Sequence, residues 1–457
     1  MAAVLGWVGV MAQTTNAAAQ PGDVAHQTAQ RTDAEVRAVL NDVSQTVYGS
    51  ELILSLDQAI DYALKQNRSL QNASLEVRKA HAKRWQTISS LLPQADGTFG
   101  KSAMYDSDWN EKTINLTGTP YSMSPWTLGI TVSEGINAQA IVGVLLNNIA
   151  IQMQDITYEQ TESDLCGDVL VSYTSVLVLT DVANLLDSSL VNMVALAEQT
   201  KSMVDVGAAE STQYDQILVK VNTLRNSVNA SRRNLRLTED ALKVLLNVDG
   251  NTELHLTNTL SEVLNLDKAL NVLLEDYDVH RNYNYQLLEK NVELAEKNVI
   301  LAGMAYLPTI AAFYKYTGQY GKDVFTMMSS PHTVGVTLSM PIWSSGKRAS
   351  AVKEQQIALQ ESQNTFSQTK DNLDIQYNNL RYTLVNNYET YLNVKDNTEV
   401  TKRVMNNVSN KYKWGSASAL EVTNASNDLI SAQSSYVNAV MNLVQSAVEL
   451  EKFLNNK

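Results

Sequence analysis

YKWGSASALEVTNASNDLISAQ runs from Tyr412 to Gln433 near the C-terminal end of the sequence. Long polar segments with helical periodicity flank it, and Trp414-Gly415 plus a run of small residues interrupt them. Beyond the glycine, apolar or small residues fall at Ala425, Leu429, Ala432, Tyr436, Ala439, Leu443, Ala447, Leu450 and Leu454. Steps of three and four make this close to a heptad seam, and alanine on the seam lets helices approach closely. A helix, a glycine turn and a second helix predict the tip of a helical hairpin.

The same tip occurs earlier in the chain. Gly207 precedes Gly415 by 208 residues (415 − 207), and the register then holds: Ser227 with Ser435, Asn234-Leu235 with Asn442-Leu443, Leu242 with Leu450, Leu246-Asn247 with Leu454-Asn455. The earlier seam runs Ile217, Val221, Leu224, Val228, Ser231, Leu235, Leu242 and Leu246, with Glu239 as the exception. Upstream, Leu92-Pro93 recurs as Leu307-Pro308, and at that offset of 215 (307 − 92) Asn67 meets Asn282 and Gln71 meets Gln286. LGITVS at 128–133 recurs as VGVTLS at 334–339. The unit is written twice. The predicted organisation is a truncated signal peptide over 1–20, an N-terminal extension over 21–51, a first repeat over 52–250, a connector over 251–266 and a second repeat over 267–457.

Proline is scarce, seven in 457 residues, which favours uninterrupted helices. Asn137 to Met203 and Ser344 to Lys411 contain none. Each predicts a helix of about 68 residues, roughly 100 Å long at about 1.5 Å per residue. Shorter helices are expected over Leu56–Leu91 and Ala209–Asn247, each roughly 55 Å, so two of them match one long arm.

Between helices the period changes to two. Leu128, Ile130 and Val132 alternate with Gly129, Thr131 and Ser133; Val334, Val336 and Leu338 alternate with Gly335, Thr337 and Ser339. Ala95, Gly97, Phe99, Ala103 and Tyr105 oppose Asp96, Thr98, Gly100 and Ser102; Ile310, Ala312, Tyr314, Tyr316 and Tyr320 oppose Lys315, Thr317 and Gln319. Four strands of about ten residues, apolar on one face, have the length of tilted bilayer strands. Tyr105, Trp126, Tyr320 and Trp343 lie near their ends, as an aromatic girdle would. Lys101 interrupts the apolar face. Four strands cannot enclose a lumen, so a barrel requires oligomerisation. The loops at 107–125 and 321–332 are expected outside the cell.

Composition narrows the function. A net charge of -13 argues against nucleic acid. Cys166 is the single cysteine, so neither an intrachain disulfide nor a cysteine zinc site is expected, and the five histidines show no ligand spacing. No phosphate loop, GxSxG or HExxH is present, so neither an enzyme nor a cofactor or metal site is expected. The N-terminal MAAVLGWVGVMAQTTNAAAQ is an apolar run ending in Val10-Met11-Ala12 before Gln13, the form of an export signal. Val169 to Thr180, bracketed by Asp168 and Asp181, is too short to span a membrane as a helix.

The order helix, Leu-Leu-Pro, strand, loop, strand, long helix, glycine tip, helix, repeated, resembles the TolC family of outer-membrane efflux proteins. GVTLSMPIWSSGKRASAVKEQQ (335–356), SLDQAIDYALKQNRSLQNA (55–73) and the Tyr412–Gln433 stretch carry the resemblance, which covers about 52 to 457. It implies a mainly helical chain with a small β part, forming a homotrimer with a helical tunnel in the periplasm and a twelve-stranded barrel in outer-membrane lipid. It further implies a passive duct served by a periplasmic adaptor and an inner-membrane pump. On that resemblance the glycine tips form the tunnel's periplasmic end, and Glu421 and Asn424 fall where the family's archetype carries acids at the entrance. Asp215 is the nearby acid of the first copy, and Tyr412 matches a tyrosine that holds the entrance closed. The family's latch arginine would fall at Ala417, so that link is missing. Without the resemblance, Glu421 reads as a solvated acid favoured by a helix start. The competing reading of the whole chain is a secreted, filament-forming helical protein of flagellin type.

Overall fold

The computed structural model describes residues 51–116, 119–122, 125–263, 271–321 and 331–455, so the expected signal peptide and most of the 321–332 loop lie outside the described residues. The strands are β1 (Glu51–Leu54), β2 (Gln94–Lys101), β3 (Thr113–Leu116), β4 (Thr119–Ser122), β5 (Trp126–Ile136), β6 (Glu253–Leu256), β7 (Thr309–Tyr320) and β8 (His332–Ser339). The long and medium helices are α1 (Leu56–Gln66), α2 (Arg68–Ser89), α3 (Ala138–Asp205), α4 (Ser211–Leu246), α5 (Tyr283–Met304), α6 (Lys347–Lys413) and α7 (Ala419–Leu454). The chain divides into two compact units.

The first unit comprises Met1–Arg68, Ser163–Leu274 and Arg381–Leu450. Its core is a seam of four helix segments. Leu186, Met193, Leu196 and Ala197 of α3 meet Ile217, Val221, Leu224 and Val228 of α4, Ala419 and Val422 of α7, and Tyr412 of α6. The 3–4 spacing of α4 therefore buries the side anticipated, down to Leu242 and Leu246. Glu239, the exception on that seam, is half-buried, and desolvation raises its carboxyl pKa. A short parallel pair, β1 with β6, was not legible in the periodicity; Leu52 and Leu54 are buried on its inner face. Tyr173 of α3, fully buried, locks the pair through bonds to the Leu54 carbonyl (3.1 Å) and to Asn258 Oδ1 (3.0 Å).

The helix expected over Leu56–Leu91 is two helices. Asn67 leaves helical geometry (φ -64, ψ 129), ending α1, and its buried side-chain amide donates to the Leu245 carbonyl at 2.8 Å. A pairing partner near the end of α4 outweighs helix continuity there.

The second unit comprises Ser69–Glu162, Glu275–Leu380 and Glu451–Lys457. It holds the structural twin of that contact. Asn282 caps α5, accepting from the Asn284 and Tyr285 backbone N–H groups, and donates to the Phe453 carbonyl at 3.0 Å. Tyr285, Leu373 and Phe453 form a small core, with Tyr277 stacked on Tyr377 at 4.3 Å. Among the described residues, α5 of 22 residues follows single helical turns, so the second copy does not reproduce α1 plainly.

The four expected strands form one antiparallel sheet of order β2-β5-β7-β8. Its register assembles the alternation into two faces. Ile130 pairs with Gly97 and Tyr316; Val132 pairs with Ala95 and Tyr314; Val334 and Val336 pair with Tyr314 and Ala312. The opposite face carries Asp96, Thr98, Thr131, Lys315, Thr317 and Thr337, with Phe313 as its aromatic exception. Within 107–125, expected as loop, β3 and β4 pair antiparallel.

Candidate functional site

Two places carry the candidate residues: the hairpin tips of the first unit and the sheet of the second. Both tips close alike. Gly207 takes φ +76 and Gly415 φ +69, a conformation that side chains with a Cβ resist. The Gly207 N–H donates to the Val204 carbonyl (2.9 Å) and the Ala208 N–H to Met203 (2.7 Å). The Gly415 N–H donates to Tyr412 (2.9 Å) and the Ser416 N–H to Lys411 (2.8 Å). This is the double bond pattern that ends a helix with a left-handed residue and satisfies its last carbonyls. Val206 and Trp414, each just before its glycine, are 79% and 86% exposed, so each tip presents an apolar side chain to the outside.

The starts of the following helices differ. Glu421 and Ser418 form a reciprocal capping box: the Ser418 N–H donates to Glu421 Oε1 (3.3 Å), and the Glu421 N–H donates to Ser418 Oγ (3.2 Å). The Ser418 hydroxyl also lies 3.1 Å from the same carboxylate oxygen. At the other tip Glu210 is the N-cap without a side-chain cap bond. Glu421, Asn424 and Asp215 are all exposed.

Tyr412 is buried within the tip core. The Thr200 hydroxyl donates to the Leu196 carbonyl at 2.8 Å, so Tyr412 donates to Thr200 Oγ1 at 2.8 Å. Ala417, where the latch arginine is missing, packs against the same core. Sequence reading passed over Lys220, which is buried on α4 with Asn427 Oδ1 of α7 as its hydrogen-bond partner. Burial pushes its ammonium pKa down. Thr200–Tyr412 and Lys220–Asn427 both join a first-copy helix to a second-copy helix. Neither pair was visible as a motif, because each partner is 207 to 212 residues away.

On the sheet, Val334 and Val336 are 77% and 74% exposed, and Phe99 is 72% exposed. A row this apolar and this open is a surface awaiting a nonaqueous partner. Trp126 begins β5, opposite Lys101 and Tyr320. The place of Lys101 is thereby explained: it ends β2, with Nζ 5.7 Å from the Trp126 ring centroid and 3.9 Å from Glu111 Oε1. Tyr105 lies beyond β2 beside Trp109, ring centroids 5.7 Å apart, and exposed Trp343 lies between β8 and α6. Elsewhere the parallel pair brings Glu51, Glu253 and His255 together, ligand atoms within 4.8 Å and all exposed. Strands 200 residues apart supply them, so ligand spacing in the sequence could not reveal that group.

Duplicated helical hairpins with paired glycine tips, joined in one chain to an antiparallel sheet with an exposed apolar face, define the class: an outer-membrane channel protein. The sequence matches the outer membrane efflux protein family twice, at residues 59–248 and 280–456, and the chain belongs to that family. It is a TolC-family channel of the outer membrane, a transport protein and not an enzyme. It is 25% identical to outer membrane protein TolC of Salmonella enteritidis over 330 residues, which are 66% of this chain and 62% of that protein. Escherichia coli TolC is 22% identical over 435 residues, covering 88% of this chain and 82% of the relative. The Campylobacter jejuni CmeC outer membrane channel superposes with a TM-score of 0.68 at 17% identity, covering 88% of this chain and 87% of that one. Family membership replaces the filament alternative.

Proposed function

We propose that this chain is the passive exit duct of a tripartite efflux system: a homotrimer set in outer-membrane lipid and opened by a periplasmic adaptor and an inner-membrane pump. The observation that carries this reading is the four-stranded sheet with β2 and β8 as edges. In lipid an unpaired edge leaves backbone groups unsatisfied at several kcal/mol each. β2 leads away from α2 and β8 leads back to α6, so β8 of one copy joins β2 of the next antiparallel. Three copies then close twelve strands around a lumen. The apolar face meets lipid, and the face of Thr98, Thr131 and Thr337 lines the lumen. Tyr105, Trp126 and Tyr320 girdle one interface and Trp343 the other. Residues 1–20 serve export, and 52–250 and 267–457 are the two repeats joined at 251–266.

Cysteines at Thr98 and its neighbours on β2, combined with cysteines along Gly335–Thr337 on β8, should crosslink between subunits into a trimer ladder. A detergent-solubilised monomer by light scattering would overturn the architecture.

At the periplasmic end, Gly207 and Gly415 make the tips, and three copies of Glu421 face one another across the entrance, with Asn424 neutral and Asp215 secondary. Tyr412–Thr200 and Lys220–Asn427 hold the hairpins closed in place of the missing arginine. A ring of carboxylates favours cations. Glu421→Ala should lower cation preference in planar bilayers, Glu421→Lys should reverse it, and Asp215→Ala should matter less. Glu421→Gln keeps the reciprocal cap while removing the charge, so it isolates the electrostatic role. Selectivity unchanged in Glu421→Ala makes Glu421 a helix cap only.

A further inference from the structure

The polar face of the four-stranded sheet is almost free of charge. Its rungs cross β2, β5, β7 and β8 in turn: Gln94, Ser133, Phe313 and Gly335 share one, and Asp96, Thr131, Lys315 and Thr333 share another. Among the described residues of these strands, Asp96 and Lys315 are the charged members of that face; the rest are Gly, Ala, Ser, Thr, Gln and Phe. Both fall on one rung, near the middle of β5 (Trp126–Ile136) and β7 (Thr309–Tyr320). Both are exposed, and neither belongs to an ion pair among the described residues. Directly across from Lys315 stand Thr131 and Thr333, so no opposite charge faces it. Asp96 is two strand spacings away, roughly 10 Å, too far to cancel it locally. Lys101 differs: it ends β2 on the apolar face, with Glu111 as its partner.

We propose that, in the trimeric barrel inferred above and resting on that reading, Lys315 is the residue that senses the charge of a passing solute. Its ammonium makes the β7–β8 side of the lumen wall a station for organic anions, such as carboxylates and sulfonates, and Asp96 gives the β2 side the opposite sign. The scale of the barrel makes this effective. Twelve strands about 4.8 Å apart and tilted about 40° put the backbone roughly 12 Å from the axis. Side chains point inward from there, so a solute on the axis comes within about one Debye length, about 8 Å at physiological salt, of the ammonium. Phe313, the preceding lumen-facing residue on β7, does not cover it. A Cβ on Gly335 would lie 2.5 Å from Phe313 Cζ, so the ring is laid over the β8 glycine and along the wall. That apolar surface beside the charge focuses its field into the lumen. Glu421 lies in the other unit of the chain, so the station and the entrance can be tested apart.

The test measures the local potential on the full chain reconstituted in lipid vesicles, with two thiol reagents of opposite charge: the anionic sulfonatoethyl and the cationic trimethylammonioethyl methanethiosulfonate. Single cysteines at Thr131 and Thr333 report from the two sides of Lys315, in a Cys166→Ala background. Both should react with both reagents. Lys315→Gln should lower the anionic-to-cationic rate ratio at Thr333→Cys at least twofold at physiological salt. The drop should grow at about 0.01 M salt, where the Debye length is about 30 Å. Lys315→Arg should keep the wild-type ratio, and Asp96→Asn should raise the ratio at Thr131→Cys. A ratio at Thr333→Cys that Lys315→Gln leaves unchanged overturns the proposal while the barrel stands. If Thr131→Cys and Thr333→Cys are inert while Val132→Cys and Val334→Cys react, the polar face does not line a lumen, and the barrel reading falls together with the station.

Discussion

The turn at Gly207 and the turn at Gly415 close with the same two backbone bonds, yet their surroundings differ. The second is followed by the Ser418–Glu421 capping box; the first is followed by Glu210, which makes no side-chain cap bond. Beyond the second tip Asp428 is exposed, while its counterpart 208 residues earlier, Lys220, is buried. The asparagine contacts behave otherwise: Asn67 with Leu245 and Asn282 with Phe453 are the same bond made twice. The two matched positions satisfy backbone carbonyls away from solvent, where no other chemistry replaces the partner, whereas the capping box serves exposed N–H groups that water can also reach. Positions that only modulate a helix start or a seam diverge.

Mutation tests the equivalence of the two copies, and the asparagines should respond most. Asn282→Ala removes a cap and leaves the Phe453 carbonyl unpaired, a loss of about 3 kcal/mol. Asn67→Ala should fall within about 1 kcal/mol of it, since one bond type is lost in both. Thermal unfolding followed by circular dichroism checks both; a neutral Asn67→Ala would break the equivalence.

The glycines come next. Gly207→Val and Gly415→Val should each destabilise by about 2 kcal/mol, because valine resists positive φ. Limited proteolysis at the tips should rise equally in the two, with the sheet unaffected. An effect at one tip alone would show that the shared backbone motif is not what matters.

Lys220→Met should stabilise the chain at neutral pH by about 1 kcal/mol, since a buried ammonium with no counter-charge among the described residues is replaced by an apolar chain. The folded-state pKa of Lys220 lies below its ordinary 10.5, so the unfolded chain binds more protons in between. Wild-type stability should therefore carry a component that rises with pH from the depressed value toward 10.5 and is absent in Lys220→Met. An identical pH dependence in the two proteins would mean that the ammonium carries no desolvation penalty.

The smallest effect separates the caps. Ser418→Ala should cost about 1 kcal/mol, and Glu210→Ala only a few tenths. Equal losses would mean that the tips are alike in side chains as well as in backbone.

Much of the fold was legible because it rests on period and repetition. The 3–4 spacing from Ile217 to Leu246 predicted the buried side of α4, and strict alternation from Leu128 and Val334 predicted the strands and their faces. Glycines after long periodic runs marked the turns, since positive φ is a local demand that one residue type meets. The candidate site was legible only as far as residue type. Glu421 could be named, but its reciprocal bond with Ser418 required the backbone path at the tip, and Tyr412 could not be placed against Thr200 from spacing.

The chain alone determined two copies, proline-free arms and four alternating strands, because those are properties of neighbours in sequence and follow from local sterics and apolar periodicity. The meeting of distant segments settled the rest: Asn67 interrupts a helix, Leu52 and Leu254 share a parallel pair, and Lys220 lies buried against Asn427. Each of those depends on a partner some 200 residues away. Contact energies between distant segments, which override local preference, leave no trace in the spacing of nearby residues.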